Sequence, residues 1–229
     1  MLFRSDLVRH GLAAAPGRHE PIALKAIGGD DHSSGFDREQ QNRLKQEAFY
    51  KTGTRFFNLK GFKGTSLDEI AEELQVTKGA FYYHIRNKED LLYQCYQRSI
   101  SIMGDIAQQA AQQPDGLSRV EYHCRQSFVV QNSDAGPPIR YTSVTSLPLD
   151  RRKEVLDQTD RGNALLGRFI ADGIADGSIR TADAMVAGEL IAGAVNASME
   201  LDKWRSVEAV EQASVDYFNL LINGLAPRD

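Results

Sequence analysis

Two short helices joined by a tight turn are predicted between residues 66 and 84, and this pattern constrains the fold more than any other feature. Ser66 followed by Glu69 is typical of a capping box, in which each side chain satisfies a free backbone N–H at a helix start, here at about residues 67–74. Thr77 supplies a second N-cap before a helix over Lys78–His84. The residues between the two helices can only form a turn, so the pattern predicts a helix-turn-helix.

The remaining sequence predicts helices and no strands. Apolar residues recur at intervals of three, four and seven from about Arg38 and stop at Gly61, which indicates a first helix. Clusters of proline, glycine and aspartate divide the rest into helices at about 88–112, 117–132, 139–147, 150–175, 181–203 and 206–225. We therefore expect an all-α protein of about nine helices, with a three-helix helix-turn-helix domain at 38–87 and a larger helical domain at 88–229.

Residues 1–37 show no sustained helical or strand period and contain two prolines and a Gly-Gly-Asp-Asp run, so they predict a flexible N-terminal arm. Three histidines lie in this segment, His10, His19 and His32, but their spacing matches no metal site. Cys95 and Cys124 fall in predicted helices without a metal-ligand spacing, so we expect buried thiols in a reducing compartment and no bound metal.

The formal net charge of −4 divides into −1 for residues 1–37, +2 for 38–90 and −5 for 91–229. Only the helix-turn-helix segment is basic, which fits a small DNA-reading domain on an acidic body and also fits an enzyme with a mixed surface. No stretch approaches the ~20 apolar residues of a membrane span, and charged residues interrupt the N-terminus where a signal peptide would be apolar. We expect a cytoplasmic protein without a membrane partner.

Within the predicted helix-turn-helix, an inward set of apolar residues predicts the contact between two crossing helices: Ile70, Ala71, Leu74, Val76 and Phe81. The complementary set faces outward, on the side of the second helix that enters a major groove in such motifs: Thr77, Lys78, Ala80, Tyr82, Tyr83 and His84. A recognition helix of this kind indicates a protein that reads DNA sequence.

The segment Arg43–Leu92 resembles the TetR/AcrR family of bacterial regulators. The resemblance is dense in Thr65-Ser66-Leu67-Asp68-Glu69-Ile70-Ala71 and in Val76-Thr77-Lys78-Gly79-Ala80-Phe81-Tyr82-Tyr83-His84-Ile85-Arg86-Asn87-Lys88-Glu89-Asp90-Leu91-Leu92. It implies a homodimeric, ligand-responsive transcriptional repressor that binds a palindromic operator in double-stranded DNA. It also implies release from the operator by a small effector, which a mostly apolar pocket would make lipophilic.

The resemblance also implies roles for individual residues. Thr77, Lys78 and Ala80 would face base edges, and Tyr83 would pack against the DNA backbone or thymine methyl groups. The predicted phosphate contacts are Thr65, Tyr82, His84 and Lys88. Plainer alternatives exist: Tyr82 and Tyr83 as core aromatics, His84 as a group that stabilises the helix C-terminus, and Lys88 as a solvated lysine.

Two positions depart from the family pattern. A glycine normally stands at Gln75, because the turn needs a left-handed backbone that costs other residues roughly 1–2 kcal/mol. Thr52 and Gly53 replace a usual pair of alanines, and glycine inside a helix costs roughly 1 kcal/mol relative to alanine. Both departures predict a less rigid DNA-binding domain.

The C-terminal helices indicate association with a second copy. Residues 184–198 carry one charge and many small residues, and the helix at 206–225 has an apolar stripe at intervals of three and four. In the family such helices form a four-helix dimer interface, and the candidate residues are Leu190, Ala194, Val207, Val210, Tyr217 and Leu221. Packing within one chain is the alternative.

The helices at 117–132, 139–147 and 150–175 would then enclose an effector pocket, as the resemblance implies. The polar candidates to line it are Tyr122, His123, Arg125, Asn132, Arg140, Tyr141 and Asn196.

Two other classes of protein are alternatives to a transcriptional regulator. An enzyme is disfavoured because the chain lacks GxSxG, HExxH, P-loop and ExxH motifs, so no catalytic residue or cofactor is predicted. A binding module that has lost operator recognition is the other alternative, suggested by Gln75 and Gly53.

Overall fold

The computed structural model describes residues 10–14, 19–25, 38–133, 136–199 and 209–223. Its α-helices, numbered in chain order, are α1 (Arg38–Gly64), α2 (Leu67–Glu73), α3 (Lys78–His84), α4 (Lys88–Ala110), α5 (Gly116–Gln131), α6 (Leu149–Asp176), α7 (Ala184–Ser198) and α8 (Val210–Asn223). A 3₁₀ helix spans Tyr141–Ser146. The described residues contain helices and one isolated bridge but no strand, so the predicted all-α class is confirmed. None of the described helices is long and apolar enough to cross a membrane.

The chain divides into two compact units. The first, which we call the head, comprises Gly28–Ile102 and Ala135–Thr159. The second, the body, comprises Met1–Ile27, Met103–Asp134 and Asp160–Asp229. Two of the unit boundaries fall within α4 and α6, whereas the sequence predicted an N-terminal arm at 1–37 and a boundary between the two helical domains after residue 87.

The head is built around aromatic residues of α1. Phe49, Phe56 and Phe57 are buried against Ile70 of α2 and Phe81 of α3. Gly53, a residue that sequence alone made unfavourable, lies where α4 approaches closely. A Cβ atom at this position would stand 3.1 Å from Leu91 and 3.2 Å from the Cys95 sulfur. Glycine at this position lowers the helix propensity of α1 but allows α1 to pack closely on α4.

Two predicted helix limits in the head differ from the structure. The first helix was expected to stop at Gly61, but helical residues continue to Gly64 through a kink at Gly61, where φ is 68°. The predicted helix at 139–147 is instead a short 3₁₀ helix preceded by extended residues. The extended backbone is held by Asn58, whose amide donates to the Pro138 carbonyl at 3.0 Å and whose oxygen accepts from the Arg140 N–H at 2.9 Å.

The body is organised around α5, which is buried along most of its length. Its apolar side chains pack with α6, α7 and α8, and Phe128 lies 5.5 Å from the ring of Tyr217 and 6.3 Å from that of Phe218. Both cysteines are buried and unbridged, as predicted. Burial raises the pKa of Cys95 to about 12 and raises that of Cys124 as well, so both thiols are protonated at neutral pH.

The described part of residues 1–37 does not behave as a solvated arm. Leu12 and Ala13 are buried, and their N–H groups donate to carbonyls at the end of α8, at 2.9–3.0 Å from Leu221 and Ile222. Ala13 also forms a bridge with Ile179. The prediction of a flexible arm is wrong for these residues, because Leu12 adds apolar surface to the body core. His32 lies outside the described residues.

Candidate nucleic-acid interface

The helix-turn-helix forms as the sequence predicted, and its two helices share a small core. Ile70, Ala71 and Phe81 are fully buried, and Phe81 meets Phe49 of α1 edge to face at a ring distance of 5.1 Å. Ala71 has no side chain beyond Cβ, so α2 and α3 can cross closely. These contacts fix the position of α3 within the head.

The turn between α2 and α3 has the strained conformation expected from sequence. Gln75 adopts φ 55°, in the left-handed region that favours glycine, so this prediction is confirmed. The N–H of Gln75 donates to the Glu72 carbonyl at 2.9 Å, and the N–H of Val76 donates to the Ala71 carbonyl at 3.0 Å. These hydrogen bonds, together with the packing of α2 on α3, stabilise a left-handed backbone conformation that glutamine would not favour by itself.

The two predicted N-caps have different outcomes. The Thr77 side chain accepts a hydrogen bond from the Ala80 N–H at 3.2 Å, so the cap of α3 is confirmed. Ser66 makes no side-chain cap at α2, and the predicted capping box is wrong. Its second member, Glu69, pairs instead with Lys60 of α1 at 2.8 Å.

The outward face of α3 is exposed where the sequence placed the base-reading residues. Thr77, Lys78 and Ala80 are exposed, and Tyr83 is 85% exposed although it is a large aromatic residue. Tyr82 is 46% exposed. The alternative of two core aromatics is therefore wrong, because Phe81 fills the inward position.

Asp68 of α2 binds two of these outward side chains. Lys78 Nζ donates to Asp68 Oδ2 at 2.6 Å, and the Tyr82 hydroxyl donates to Asp68 Oδ1 at 3.4 Å. The hydrogen bond with Lys78 lowers the pKa of Asp68 and raises that of Lys78, so both groups are charged at neutral pH. Sequence analysis did not select Asp68. The signal was available in the acidic run of α2, but its contact with α3 depends on how the two helices cross.

Three further predicted phosphate contacts stand in different surroundings. Thr65 is buried, and its hydroxyl donates to the Gly61 carbonyl at 2.8 Å, so this hydroxyl is not available to DNA in the structure. Lys88 is half-buried, donates to the Thr65 carbonyl at 2.9 Å and lies 4.6 Å from the Phe62 ring, which excludes a merely solvated lysine. His84 is half-buried at the end of α3, with its ring 5.6 Å from Phe49. This position suits both a phosphate contact and a group that stabilises the helix C-terminus.

The effector-pocket candidates do not form one group. Arg140 and Tyr141 belong to the head, and Asn196 is an exposed residue of α7. Asn132 caps the end of α5 by donating to the Phe128 carbonyl at 2.8 Å. Only Tyr122, His123 and Arg125 lie together, as neighbours on α5 in the body.

Tyr122 and Arg125 belong to a buried polar network that the sequence did not predict. Arg125 donates to the Ile22 carbonyl at 2.6 Å, to the Ser214 hydroxyl at 3.1 Å and to Glu121 at 3.3 Å. The Tyr122 hydroxyl donates to Gln109 at 2.6 Å and accepts from the Lys25 N–H at 3.3 Å. Most of these partners lie far away in sequence, so no local pattern could reveal them.

Two histidines of the body have opposite pKa shifts. His19 pairs with Glu121, and the hydrogen bond to this carboxylate raises the histidine pKa. His123 has its Nδ1 buried without a hydrogen-bond partner among the described residues. Burial lowers the pKa of His123 to about 4, so the ring is neutral at pH 7.

The dimer candidates occupy α7 and α8. Five of the candidates are half-buried and pack against the body core, so part of each side chain already has contacts within the chain: Leu190, Ala194, Val210, Tyr217 and Leu221. Val207 lies outside the described residues. The exposed side of α7 also carries apolar groups, with Met185 78% and Val186 39% exposed.

Comparison with known proteins bears directly on the helix-turn-helix. Residues 49–95 match the model of the tetR family of bacterial regulatory proteins. An uncharacterized HTH-type transcriptional regulator of Bacillus subtilis strain 168, YerO, is 50% identical over 48 residues, which are 21% of this chain and 17% of YerO. The regions that match YerO and four other curated relatives cover between 16 and 60% of the length of each relative.

Solved structures extend the likeness to most of the fold. The TetR family transcriptional regulator PfmR from Thermus thermophilus superposes with a TM-score of 0.67 at 19% identity, covering 78% of this chain and 99% of PfmR. AibR, solved in complex with isovaleryl coenzyme A and operator DNA, gives a TM-score of 0.62 at 19% identity, covering 78% of this chain and 98% of AibR. Residues 49–95 are therefore similar to a tetR-family regulatory domain, and the described helices share the fold of these solved proteins.

Proposed function

We propose that this protein is a sequence-specific transcriptional repressor that binds a palindromic operator as a homodimer and leaves it when a small effector binds. The observation that supports this function best is the face of α3, where Tyr83 and Lys78 extend into solvent while Phe81 anchors the helix in the head core. Tyrosine is enriched at interfaces because its ring is apolar while its hydroxyl can keep a hydrogen bond, and both Tyr82 and Tyr83 are exposed on this face. Double-stranded DNA is the partner that the helix-turn-helix geometry suits.

In this proposal Thr77, Lys78 and Ala80 read base edges, and Tyr83 packs against the sugar-phosphate backbone or a thymine methyl group. Tyr82, His84 and Lys88 contact phosphates. Thr65 is left out of this set because its hydroxyl is bonded to the Gly61 carbonyl. Lys88 binds the Thr65 carbonyl, which keeps its ammonium group beside the start of α2.

A test starts from duplexes that the protein itself selects from a random pool, compared with random duplexes of equal length. Lys78→Ala should weaken binding to the selected site roughly 10- to 100-fold and reduce the preference over random DNA. Lys153→Ala is the matched control, because it removes an exposed lysine of α6 in the same unit, and it should leave the preference unchanged. If wild-type protein selects no site at physiological salt, it is not a sequence-specific regulator, and the binding-module alternative is favoured.

Homodimer formation through α7 and α8 is the second part of the proposal. One seven-residue recognition helix buries too little surface to specify an operator, whereas a two-fold pair can read two half-sites about 34–36 Å apart. Met185→Asp should shift sedimentation equilibrium toward monomer if α7 lies in the interface. Leu149→Asp, which charges a similarly exposed apolar residue of the head, should not. Equal effects of the two variants would contradict the assignment.

The effector part of the proposal is supported by AibR, a protein of the same fold whose structure was solved with isovaleryl coenzyme A and operator DNA. An effector must bind the DNA-free conformation more tightly than the bound one to release the operator. Isovaleryl coenzyme A and free short-chain acids are therefore first probes in a fluorescence anisotropy assay with labelled operator. Loss of anisotropy on addition of one probe, reversed by dilution of that probe, is the expected result for a repressor of this class.

A further inference from the structure

One carboxylate of α2 holds two outward side chains of the recognition helix. Asp68 receives Lys78 on one oxygen at 2.6 Å and Tyr82 on the other at 3.4 Å. Lys78 and Tyr82 are four residues apart and therefore lie on one face of α3. The groups proposed to contact DNA thus already bind an anion within the chain.

A carboxylate offers these two donors much of what DNA would offer. It is an anion with paired oxygen acceptors, as a phosphate group is, and Lys78 can also donate to guanine O6 and N7. The hydrogen bond raises the Lys78 pKa, which shows that Asp68 stabilises the charged ammonium group. DNA must displace or share this partner before Lys78 can contribute to binding.

We propose that Asp68 is a specificity-determining residue, because it occupies Lys78 and Tyr82 until a DNA site offers acceptors for both. The inference rests on the proposed DNA-binding function. At random DNA, a free lysine would gain affinity by neutralising any phosphate and releasing a counterion. Asp68 neutralises Lys78 in advance and removes that gain. At the operator, a guanine edge accepts from Lys78 and a phosphate accepts from Tyr82, so both side chains regain the hydrogen bonds that they gave up when they left Asp68.

The other acids of α2 distinguish this role from general repulsion of DNA. Glu69 pairs with Lys60 at 2.8 Å and Glu73 pairs with Arg55 at 2.5 Å, both on α1. Glu72 is exposed and acts on Lys78 only through its charge. Glu72→Gln therefore removes one carboxylate from the same helix but leaves the contact of Asp68 with Lys78 and Tyr82 intact.

The experiment measures affinity for selected and random duplexes between about 0.05 and 0.3 M salt. Asp68→Asn should raise affinity for random DNA about tenfold at roughly 0.1 M salt, with a salt slope steeper by about one. Affinity for the selected site should change less, so the ratio of the two affinities falls roughly threefold or more. Glu72→Gln should change random binding less than about twofold.

A double variant tests whether Asp68 acts through Lys78. In the Lys78→Ala background, Asp68→Asn should lose most of its effect on random binding, because the competing pair is already gone. Equal gains from Asp68→Asn and Glu72→Gln would overturn the inference, since charge alone would explain them. Weaker binding of Asp68→Asn to both duplexes, with an unchanged melting curve, would also overturn it. Failure of wild-type protein to select any site would refute the proposed function instead.

Discussion

The helix pair α2–α3 of the head and the helix α5 of the body use polar side chains in opposite ways. On α3 the polar residues are exposed, and their partners lie within 14 positions, as Lys78 and Tyr82 show with Asp68. On α5 the polar residues are buried, and Arg125 finds acceptors 89 and 103 positions away, at Ser214 and Ile22. The first arrangement leaves groups that can exchange partners. The second requires every partner to be in place.

The difference has an energetic origin. An exposed ion pair contributes little to folding because water solvates both charges, so Lys78 can exchange Asp68 for another anion without destabilising the head. A buried charge without a partner destabilises the protein strongly. Polar groups in the head are therefore suited to binding, and those of α5 fix the position of the N-terminal segment against the body.

Removal of Arg125 is the strongest way to test this contrast. Arg125→Ala leaves the buried Glu121 with His19 as its remaining partner and removes the donor to Ile22 and Ser214, and we expect a loss of about 3 kcal/mol or more in the free energy of unfolding. Arg119→Ala on the same helix breaks a more exposed pair with Asp172 and should cost about 0–1 kcal/mol. Urea unfolding followed by circular dichroism compares the two. Similar losses would mean that burial does not distinguish the pairs.

The start of α5 provides a test of close packing. A Cβ atom on Gly116 would lie 2.2 Å from the Gly173 backbone, so Gly116→Ala should destabilise the body by about 3 kcal/mol. The Cβ atom that Gly162→Ala adds in α6 would have no atom within 4 Å, so this variant should stabilise the body by about 0.5–1 kcal/mol through helix propensity. Thermal unfolding of both variants gives the comparison. A stable Gly116→Ala protein would contradict the close approach of α5 to α6.

Acid should weaken the body through His123. Because its pKa is lowered to about 4 in the folded protein, the unfolded chain binds a proton more readily between about pH 6.5 and 4. Stability should therefore fall as pH decreases across this window, by roughly 2–3 kcal/mol at about pH 4. His19 does not add to this loss, because its pKa is raised and its contribution is complete below about pH 6.5.

The measurement compares wild type with His123→Gln, which cannot titrate. Denaturant unfolding at intervals between neutral pH and about pH 4 should show a smaller loss for the variant. Parallel pH curves for wild type and His123→Gln would contradict a buried neutral ring.

The smallest expected effect concerns the turn of the helix-turn-helix. Gln75→Gly relieves the left-handed backbone at φ 55° and should stabilise the head by about 1 kcal/mol. Glu72→Gly, shortly before the turn and inside α2, should instead cost about 1 kcal/mol. Thermal melts report both changes. A destabilised Gln75→Gly protein would mean that the glutamine side chain makes a compensating contribution.

Much of the head was predictable because its signals are local. The spacing from Ser66 to His84 indicated two helices and a turn, and the strained residue within that turn was identified correctly. The capping box does not form: Ser66 makes no side-chain cap, and Glu69 pairs with Lys60, a residue of the preceding helix that a local motif does not include. Gly53 was interpreted as a weakness, whereas the close contact with Leu91 and Cys95 explains it.

The effector-pocket candidates show the limit of prediction from local patterns. They were chosen as polar residues on predicted helices, and sequence gives no direction for a side chain until the neighbouring helices are placed. The structure separates them into caps, surface groups and members of a buried network. Dimer formation and the effector site stay predictions.

By itself, the sequence determined the all-helical class, the helix-turn-helix and the exposed face of α3, because periodicity, caps and turn residues act over fewer than about ten positions. Only the tertiary structure decided that residues 12–13 and 19–25 pack on the body and that Asp68 binds Lys78 and Tyr82. These contacts depend on which surfaces meet when helices cross. Burial and packing across the whole chain decide which surfaces meet, and a short sequence pattern does not predict them.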